Sequence, residues 1–282
     1  MAKVAFFCQE LTRNNGWGVV AVETVKLAID RGDQVYVFTA SNATEVNVNL
    51  ADDVVVLPLL HLHRGSNTFK FLLFFLLDWI SLTKYLFTRF DSVHILIEPY
   101  WPLALLVRSK NRIGLIVGTH GVLPFRSAFK SFFYKRAIKK IESFHAISSY
   151  SSKRFVEASL HTGDIVVTRL GVDEFWLEST DCGIKERRLA FCSVGHLKHR
   201  KGILYALKAF KKIVDLHPTC KYHIVGSTGK EEYGYGLDSY FEECKKFVEI
   251  NGLGDNVVFE GLIEKDEIKR IYSSSLAHLI PS

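Results

Sequence analysis

Lys201 closes a basic octet, Gly195-His-Leu-Lys-His-Arg-Lys-Gly202, which follows the apolar run Leu189-Ala-Phe-Cys-Ser-Val194 and precedes a helical pattern. A strand that breaks at glycine into cations and then opens a helix has the parts of an anion site. Glycine lets the backbone come close to a ligand, and the first N–H groups of a helix are donors with the positive end of the helix dipole behind them. Lys201 adds a full charge at the same mouth. A phosphate-bearing ligand is one reading, and a basic turn kept for solvation is the other. The stretch Asn14-Asn-Gly16-Trp-Gly18 forms a second glycine-bearing turn, after the first apolar run of the chain. It is not a dinucleotide fingerprint, because a third glycine is missing and the second strand ends in Thr39 with no acidic residue. It suits close approach of a sugar or phosphate, or a plain strand-to-helix turn.

Charge narrows the partners. Residues 1–173 carry 20 Lys/Arg against 14 Asp/Glu, and residues 174–282 carry 16 of each, so the net +6 lies in the first part. There Arg126, Lys130, Lys135, Arg136, Lys139, Lys140, Lys153 and Arg154 are relieved only by Glu142. Such a cluster suits anionic lipid or a phosphorylated acceptor, with a solvated helix face as the alternative. No recognition motif points to nucleic acid. The most apolar run, 69–87, is interrupted by Lys70, Asp78 and Lys84, which argues against a membrane span. A buried helix packed on a sheet is expected, and a helix lying on a membrane is the second reading.

The chain of 282 residues is 48% hydrophobic and 23% charged, which suffices for a folded protein of two domains. Its five cysteines (Cys8, Cys182, Cys192, Cys220, Cys244) are dispersed and include no Cys-x-x-Cys pair, which fits a reducing compartment and offers no zinc site. The N-terminus enters a strand pattern without a signal-like apolar region, so a cytoplasmic protein is expected. Apolar runs alternate with helical patterns throughout, the sign of parallel α/β layers. Strands are expected at 3–8, 34–39, 54–57, 93–97, 115–119, 144–147 and 165–169, with helices at 19–31, 69–87, 103–109, 128–139 and 151–159. A second series has strands at 189–194, 221–225, 257–259 and 277–280, with helices at 203–217, 237–251 and 265–275. The polar stretch 174–188 reads as a linker between domains at 1–173 and 189–282. In parallel sheets ligands sit at the carboxyl ends of strands, so a cleft between the domains is the expected site.

In order and spacing, several motifs resemble those of group 1 (family 4) retaining glycosyltransferases. Over the last third these are the basic octet, Ala206-Leu-Lys-Ala-Phe210, His217-Pro218, His223-Ile-Val-Gly226-Ser-Thr-Gly229, Asn256-Val-Val-Phe-Glu-Gly261, and Ile271-Tyr-Ser-Ser-Ser275 through Ile280-Pro-Ser282. Earlier parts are consistent: Gly16-Trp-Gly18, Gly118-Thr-His120-Gly121, Ala146-Ile-Ser-Ser149 and Leu170-Gly-Val-Asp173. The resemblance implies an α/β GT-B fold of two Rossmann-like domains, with a nucleotide-sugar donor held by the second and a glycan or lipid-linked acceptor by the first. Carried over by position, Lys201 holds the donor diphosphate, Gly226 and Ser227 lie near the nucleotide, and Leu262 and Ile263 meet the base. Gly16 and Gly18 approach the diphosphate and sugar, and His120 stands beside the transferred sugar, where a purely hydrogen-bonding role is the alternative. Breaking a glycosyl phosphate bond builds negative charge on the leaving diphosphate, which cations and N–H groups stabilise. With no Asp-x-Asp pair, no metal or other cofactor is expected.

Two departures from the family pattern stand out. His196, a weaker cation, occupies the place after the loop glycine where the family usually has arginine. The family's Glu-x7-Glu motif, expected just after Pro281-Ser282, does not occur, so the second domain is expected to be incomplete and the chain a fragment of a transferase. The alternatives are an inactive nucleotide- or partner-binding module and, third, a sugar-nucleotide epimerase.

Overall fold

The computed structural model describes residues 1–13, 16–41, 54–62, 67–85, 87–116, 127–158, 165–172, 174–178, 189–227 and 238–281. The chain divides into two compact units, Met1–Gly171 and Val172–Ser282. Unit 1 holds a parallel sheet of seven strands: β1 (Lys3–Phe7), β2 (Gln34–Ala40), β3 (Val55–Leu60), β4 (Arg89–Ile95), β5 (Arg108–Ile116), β6 (Ser143–Ala146) and β7 (Ile165–Val167), in the order β3-β2-β1-β4-β5-β6-β7. Its helices are α1 (Gly16–Asp30), α2 (Thr68–Leu82), α3 (Ala128–Ile138) and α4 (Ser149–Glu157). The order reverses between β1 and β4, which puts a ligand crevice of the Rossmann kind at the carboxyl ends of those strands.

The sequence explains most of these elements. β1 reads Lys-Val-Ala-Phe-Phe and is buried on both faces, as a central parallel strand must be. α1 turns Ala21, Val22, Val25 and Ala28 onto Val4, Phe6, Val35 and Val37. Asn67, Ser127 and Ser148 cap α2, α3 and α4, each side chain accepting from the N–H three residues on. Two expectations fail. The helix expected at 103–109 is a 3-10 segment, Glu98–Leu105, followed directly by β5. Pro102 has no amide to donate to the Glu98 carbonyl, as an α-helix begun at Glu98 would require, and the polar residues Arg108–Arg112 belong to the strand. The run at 69–87 is not buried all round. α2 ends at Leu82, packs Phe71, Asp78 and Leu82 inward, and leaves Phe69, Leu72, Leu73, Leu76, Trp79 and Ile80 exposed.

Asp78 fixes how α2 sits. Its carboxylate is fully buried and accepts from the backbone N–H of His61 (2.6 Å) and of Leu62 (3.2 Å), with His61 Nδ1 3.0 Å away. Burial pushes this carboxyl up, and the hydrogen bonds from His61 and Leu62 oppose the shift. The acid thereby ties α2 to the end of β3.

Unit 2 has strands β8 (Ala190–Val194), β9 (Lys221–Val225), β10 (Val257–Gly261) and β11 (Ala277–His278) in a parallel sheet ordered β10-β9-β8-β11. Helices α5 (Glu174–Leu177), α6 (Ile203–Leu216), α7 (Asp238–Ile250) and α8 (Lys265–Ser274) accompany it. α6 buries Ile203, Ala206, Leu207 and Phe210, a spacing of three, four and seven that matches the helical period. Residues 174–178, part of the polar stretch 174–188, are docked on α8: Lys269 Nζ donates to the Phe175 carbonyl and lies 4.5 Å from the Phe175 ring centroid. The described cysteines, Cys8, Cys192, Cys220 and Cys244, are free and buried.

His94 on β4 gives unit 1 an acid-sensitive element. Its ring stacks on Phe6 at 5.0 Å, and burial, followed by the charges of Arg31 and His145, pulls its pKa from 6.5 to about 4. Folding thus favours the neutral ring: the contribution is complete above pH 6.5 and is lost as pH falls through that value towards 4. It amounts to about 3 kcal/mol. Thermal unfolding followed between pH 7.5 and 4 should show stability falling across this window, and His94→Gln should flatten the fall. An unchanged profile in the variant would remove this role.

Candidate functional site

At the carboxyl edge of the unit 2 sheet three loops meet on glycine. Val194, Val225 and Gly261 are ladder partners, and each of the three strands leaves the sheet at a glycine, Gly195, Gly226 and Gly261. The Gly195 N–H donates to Val225 O (2.9 Å), the Gly226 N–H to Gly261 O (2.8 Å) and the Leu197 N–H to Ser227 O (3.1 Å). Gly226 has φ 143°, and a Cβ there would collide with the Gly195 carbonyl. Only glycine allows this approach.

Lys201 stands over this floor. The turn His199–Lys201 is 3-10, closed by the Lys201 N–H donating to Lys198 O (2.7 Å), and Gly202 follows in the left-handed region at φ 64°. The fold-back brings the lysine to Gly195, where an added Cβ would lie 3.7 Å from Lys201 Cε and 3.9 Å from Nζ. The ammonium is therefore held beside backbone with no side chain in between. His196 is half-buried in the same loop, and His199 and Arg200 are exposed on the turn.

The start of α6 differs from the expectation of open N–H donors. The Leu204 N–H donates to Tyr240 Oη (2.9 Å), a side chain from α7 whose ring lies 4.3 Å from that of His199. The N–H groups of Tyr205 and Ala206 turn back to Gly202 O. The positive character of this edge therefore rests on Lys201 and its neighbours Lys198, His199 and Arg200 more than on the helix terminus.

Two supports escaped the sequence reading. Ser193 Oγ donates to Leu279 O (2.6 Å) and lies 2.7 Å from Tyr222 Oη, so it joins β8, β9 and the segment after β11. Burial pushes the Tyr222 phenol up to about 12. That segment then reaches Pro281, whose carbonyl would lie 2.7 Å from a Cβ on Gly202. A hydroxyl in the otherwise apolar run Leu189–Val194 was the available signal. Among the other expected residues, Ser227 is buried behind Gly226, Leu262 is exposed, and Ile263 is half-buried against Cys192, Val225 and Ile271.

In unit 1, Gly16 and Gly18 lie in the first turn of α1 rather than in a loop before it. Gly16 is exposed with open space where a side chain would be, and Gly18 is buried so that a Cβ would collide with Thr12 O. His120 lies outside the described residues. A buried acid missed by sequence, Glu98, begins the 3-10 segment just past β4, beside the carboxyl ends of the unit 1 strands. Its signal was a single carboxylate inside the apolar run 93–107. Among the described residues no group of His, Cys, Asp or Glu is arranged to hold a metal ion, and no helix is long and apolar enough to cross a membrane.

Solved structures with the same fold cover nearly all of the chain. Sucrose-phosphate synthase from Thermosynechococcus elongatus superposes over 100% of this chain and 76% of its own, with TM-score 0.72 and 14% identity. Anabaena HepE, in complex with UDP and glucose, matches 99% of this chain and 73% of its own (TM-score 0.71, 14% identity). WaaG, a glycosyltransferase involved in lipopolysaccharide biosynthesis, matches 99% and 75% (TM-score 0.65, 14% identity). The fold is thus α/β of the GT-B type, with two Rossmann-like domains. The chain belongs to Glycosyltransferase Family 4, whose profile matches residues 14–174, and the Glycosyl transferases group 1 profile matches residues 175–282. An uncharacterised glycosyltransferase of Methanocaldococcus jannaschii is 31% identical over 100 residues, a match that covers 36% of this chain and 23% of that relative.

The glycine contact gives a direct stability test. Gly226→Ala should destabilise the protein by about 2–3 kcal/mol, since the positive φ and the Gly195 carbonyl both oppose a methyl group. Urea unfolding measures the loss; a difference within error would mean that the two loops do not touch.

Proposed function

We propose that the protein transfers a sugar from a nucleotide-sugar donor to a glycan or lipid-linked acceptor, with retention at the anomeric carbon. The observation that carries the reading is the Lys201 ammonium held over Gly195 at the carboxyl edge of a parallel sheet, within the residues that match the group 1 profile. A diphosphate on that edge meets a fixed cation and closely approachable backbone. As the glycosyl bond breaks, charge grows on the diphosphate, and a preorganised cation lowers the barrier more than it strengthens ground-state binding. Lys201 is assigned that role, with His196 beside it.

The rest of the assignment follows the family pattern. Gly226 and Ser227 are taken to lie near the nucleotide, Leu262 and Ile263 at the base, and Gly16 and Gly18 near the diphosphate and sugar. His120 is assigned to the transferred sugar. The donor class is supported by HepE, whose structures hold UDP and UDP-glucose. Because cationic side chains take up the diphosphate charge, turnover is proposed to need no metal ion or other cofactor. The work is placed in the cytoplasm, at a membrane surface when the acceptor is lipid-linked; four free, buried cysteines are consistent with a reducing compartment.

Nucleotide release from a panel of nucleotide sugars, beginning with UDP-glucose, tests the reading, with product NMR reporting the anomeric configuration. Release should survive a chelator, and Lys201→Ala should lower it about a hundredfold without changing the melting temperature. Unchanged kinetics in that variant would overturn the role of Lys201, and binding of nucleotide sugars without any turnover would favour a binding module.

A further inference from the structure

We infer that the outer face of α2 together with α3 is a docking surface for anionic lipid bilayers. The inference deepens the reading of a lipid-linked acceptor, but its first observation is independent of it. Phe69, Leu72, Leu73, Leu76 and Ile80 recur at the helical period along one side of α2, and they are 75%, 47%, 42%, 43% and 56% exposed. Trp79 flanks them at 47%. Soluble proteins rarely leave so continuous an apolar stripe in water.

The only acid of α2, Asp78, is turned inward and consumed by the N–H groups of His61 and Leu62. The outward face consequently carries apolar groups alone, with exposed Lys70 and Lys84 near its two ends. Lysines there can keep their charge at the headgroups while their stems lie along apolar surface. A helix of 15 residues, about 22 Å long, is too short to cross the hydrocarbon layer, so it would lie in the interface.

α3 supplies the charge. It adjoins α2 through Thr68 Oγ1 donating to Ser127 Oγ (3.0 Å) and through Phe133, whose ring meets Phe71 at 5.8 Å and Phe75 at 5.1 Å. Phe129 and Phe132 are exposed on α3, followed one and two turns on by exposed Lys135, Arg136, Lys139 and Lys140. The nearby acid, Glu142, is held by the backbone N–H of Arg112 and, at 3.1 Å, by its guanidinium. The patch is thus apolar beside unrelieved positive charge, which complements an anionic leaflet. A second copy fits poorly, because an isologous pair through this face would set two basic clusters against each other.

Flotation with vesicles tests the surface on the full chain without any donor. Phosphatidylcholine vesicles containing phosphatidylglycerol should carry the protein upward at low salt, and pure phosphatidylcholine should not. Leu76→Glu with Trp79→Glu, and separately Lys135→Glu with Arg136→Glu, should each reduce the floated fraction about tenfold while the melting temperature holds. Tryptophan emission of the native chain should shift to the blue on the anionic vesicles, and the shift should be lost in the variant that lacks Trp79. No flotation at low salt, or flotation unchanged in both variants, would overturn the inference. So would a dimer in sedimentation velocity that the Leu76/Trp79 variant abolishes while vesicles leave the native chain unbound. Loss of nucleotide-sugar turnover with flotation intact would instead count against the transferase reading and leave this surface standing.

Discussion

The closeness of Gly226 to the Gly195 carbonyl is the constraint on which the unit 2 site depends. With a side chain at Gly226 the two loops would part and the Gly195 and Leu197 N–H groups would lose their acceptors on β9 and the loop after it; a side chain at Gly195 would stand between the backbone and Lys201. The sheet delivers the three strand ends in register, and glycine lets the chain turn away at each of them. The approachable backbone at this edge is therefore a consequence of parallel pairing combined with missing side chains.

What surrounds that contact makes it rigid. Ser193 links β8, Tyr222 on β9 and the Leu279 carbonyl, and Pro281 closes against Gly202. Tyr240 takes the Leu204 N–H at the head of α6, so that donor of the helix terminus is used by the scaffold. A preorganised cation of this kind needs little rearrangement as charge develops, which is the property electrostatic catalysis requires.

Much of this was legible in the residues. The apolar runs Val4–Cys8 and Leu189–Val194 mark β1 and β8, which as central parallel strands are covered on both sides, and Gly195, Gly226 and Gly261 mark the ends of β8, β9 and β10. The basic octet marked the turn because its glycines and cations are contiguous. Other features depend on distant partners and left only weak local signs. Tyr240 lies 36 residues from Leu204, and Leu279 lies 86 residues from Ser193. The apolar content of 103–107 suggests a helix there, whereas Pro102 inside the segment favours the 3-10 turn Glu98–Leu105. α2 was misread because a helix apolar on both sides shows no amphipathic period, so which face is covered depends on where Asp78 finds its donors.

The two units combine different physics: unit 2 gathers cations beside strand ends, and unit 1 spreads apolar and basic surface over α2 and α3. The central claim concerns the first of these. A concavity of about 660 Å³ elsewhere on the unit 2 sheet, lined by Lys221, His223, Glu260 and Arg270 among others, offers a competing place for an anion. A crystal structure with a bound nucleoside diphosphate decides between them. The account predicts diphosphate oxygens within hydrogen-bonding distance of Lys201 Nζ beside Gly195. Density for the diphosphate at His223 and Arg270, with Lys201 untouched, would contradict it.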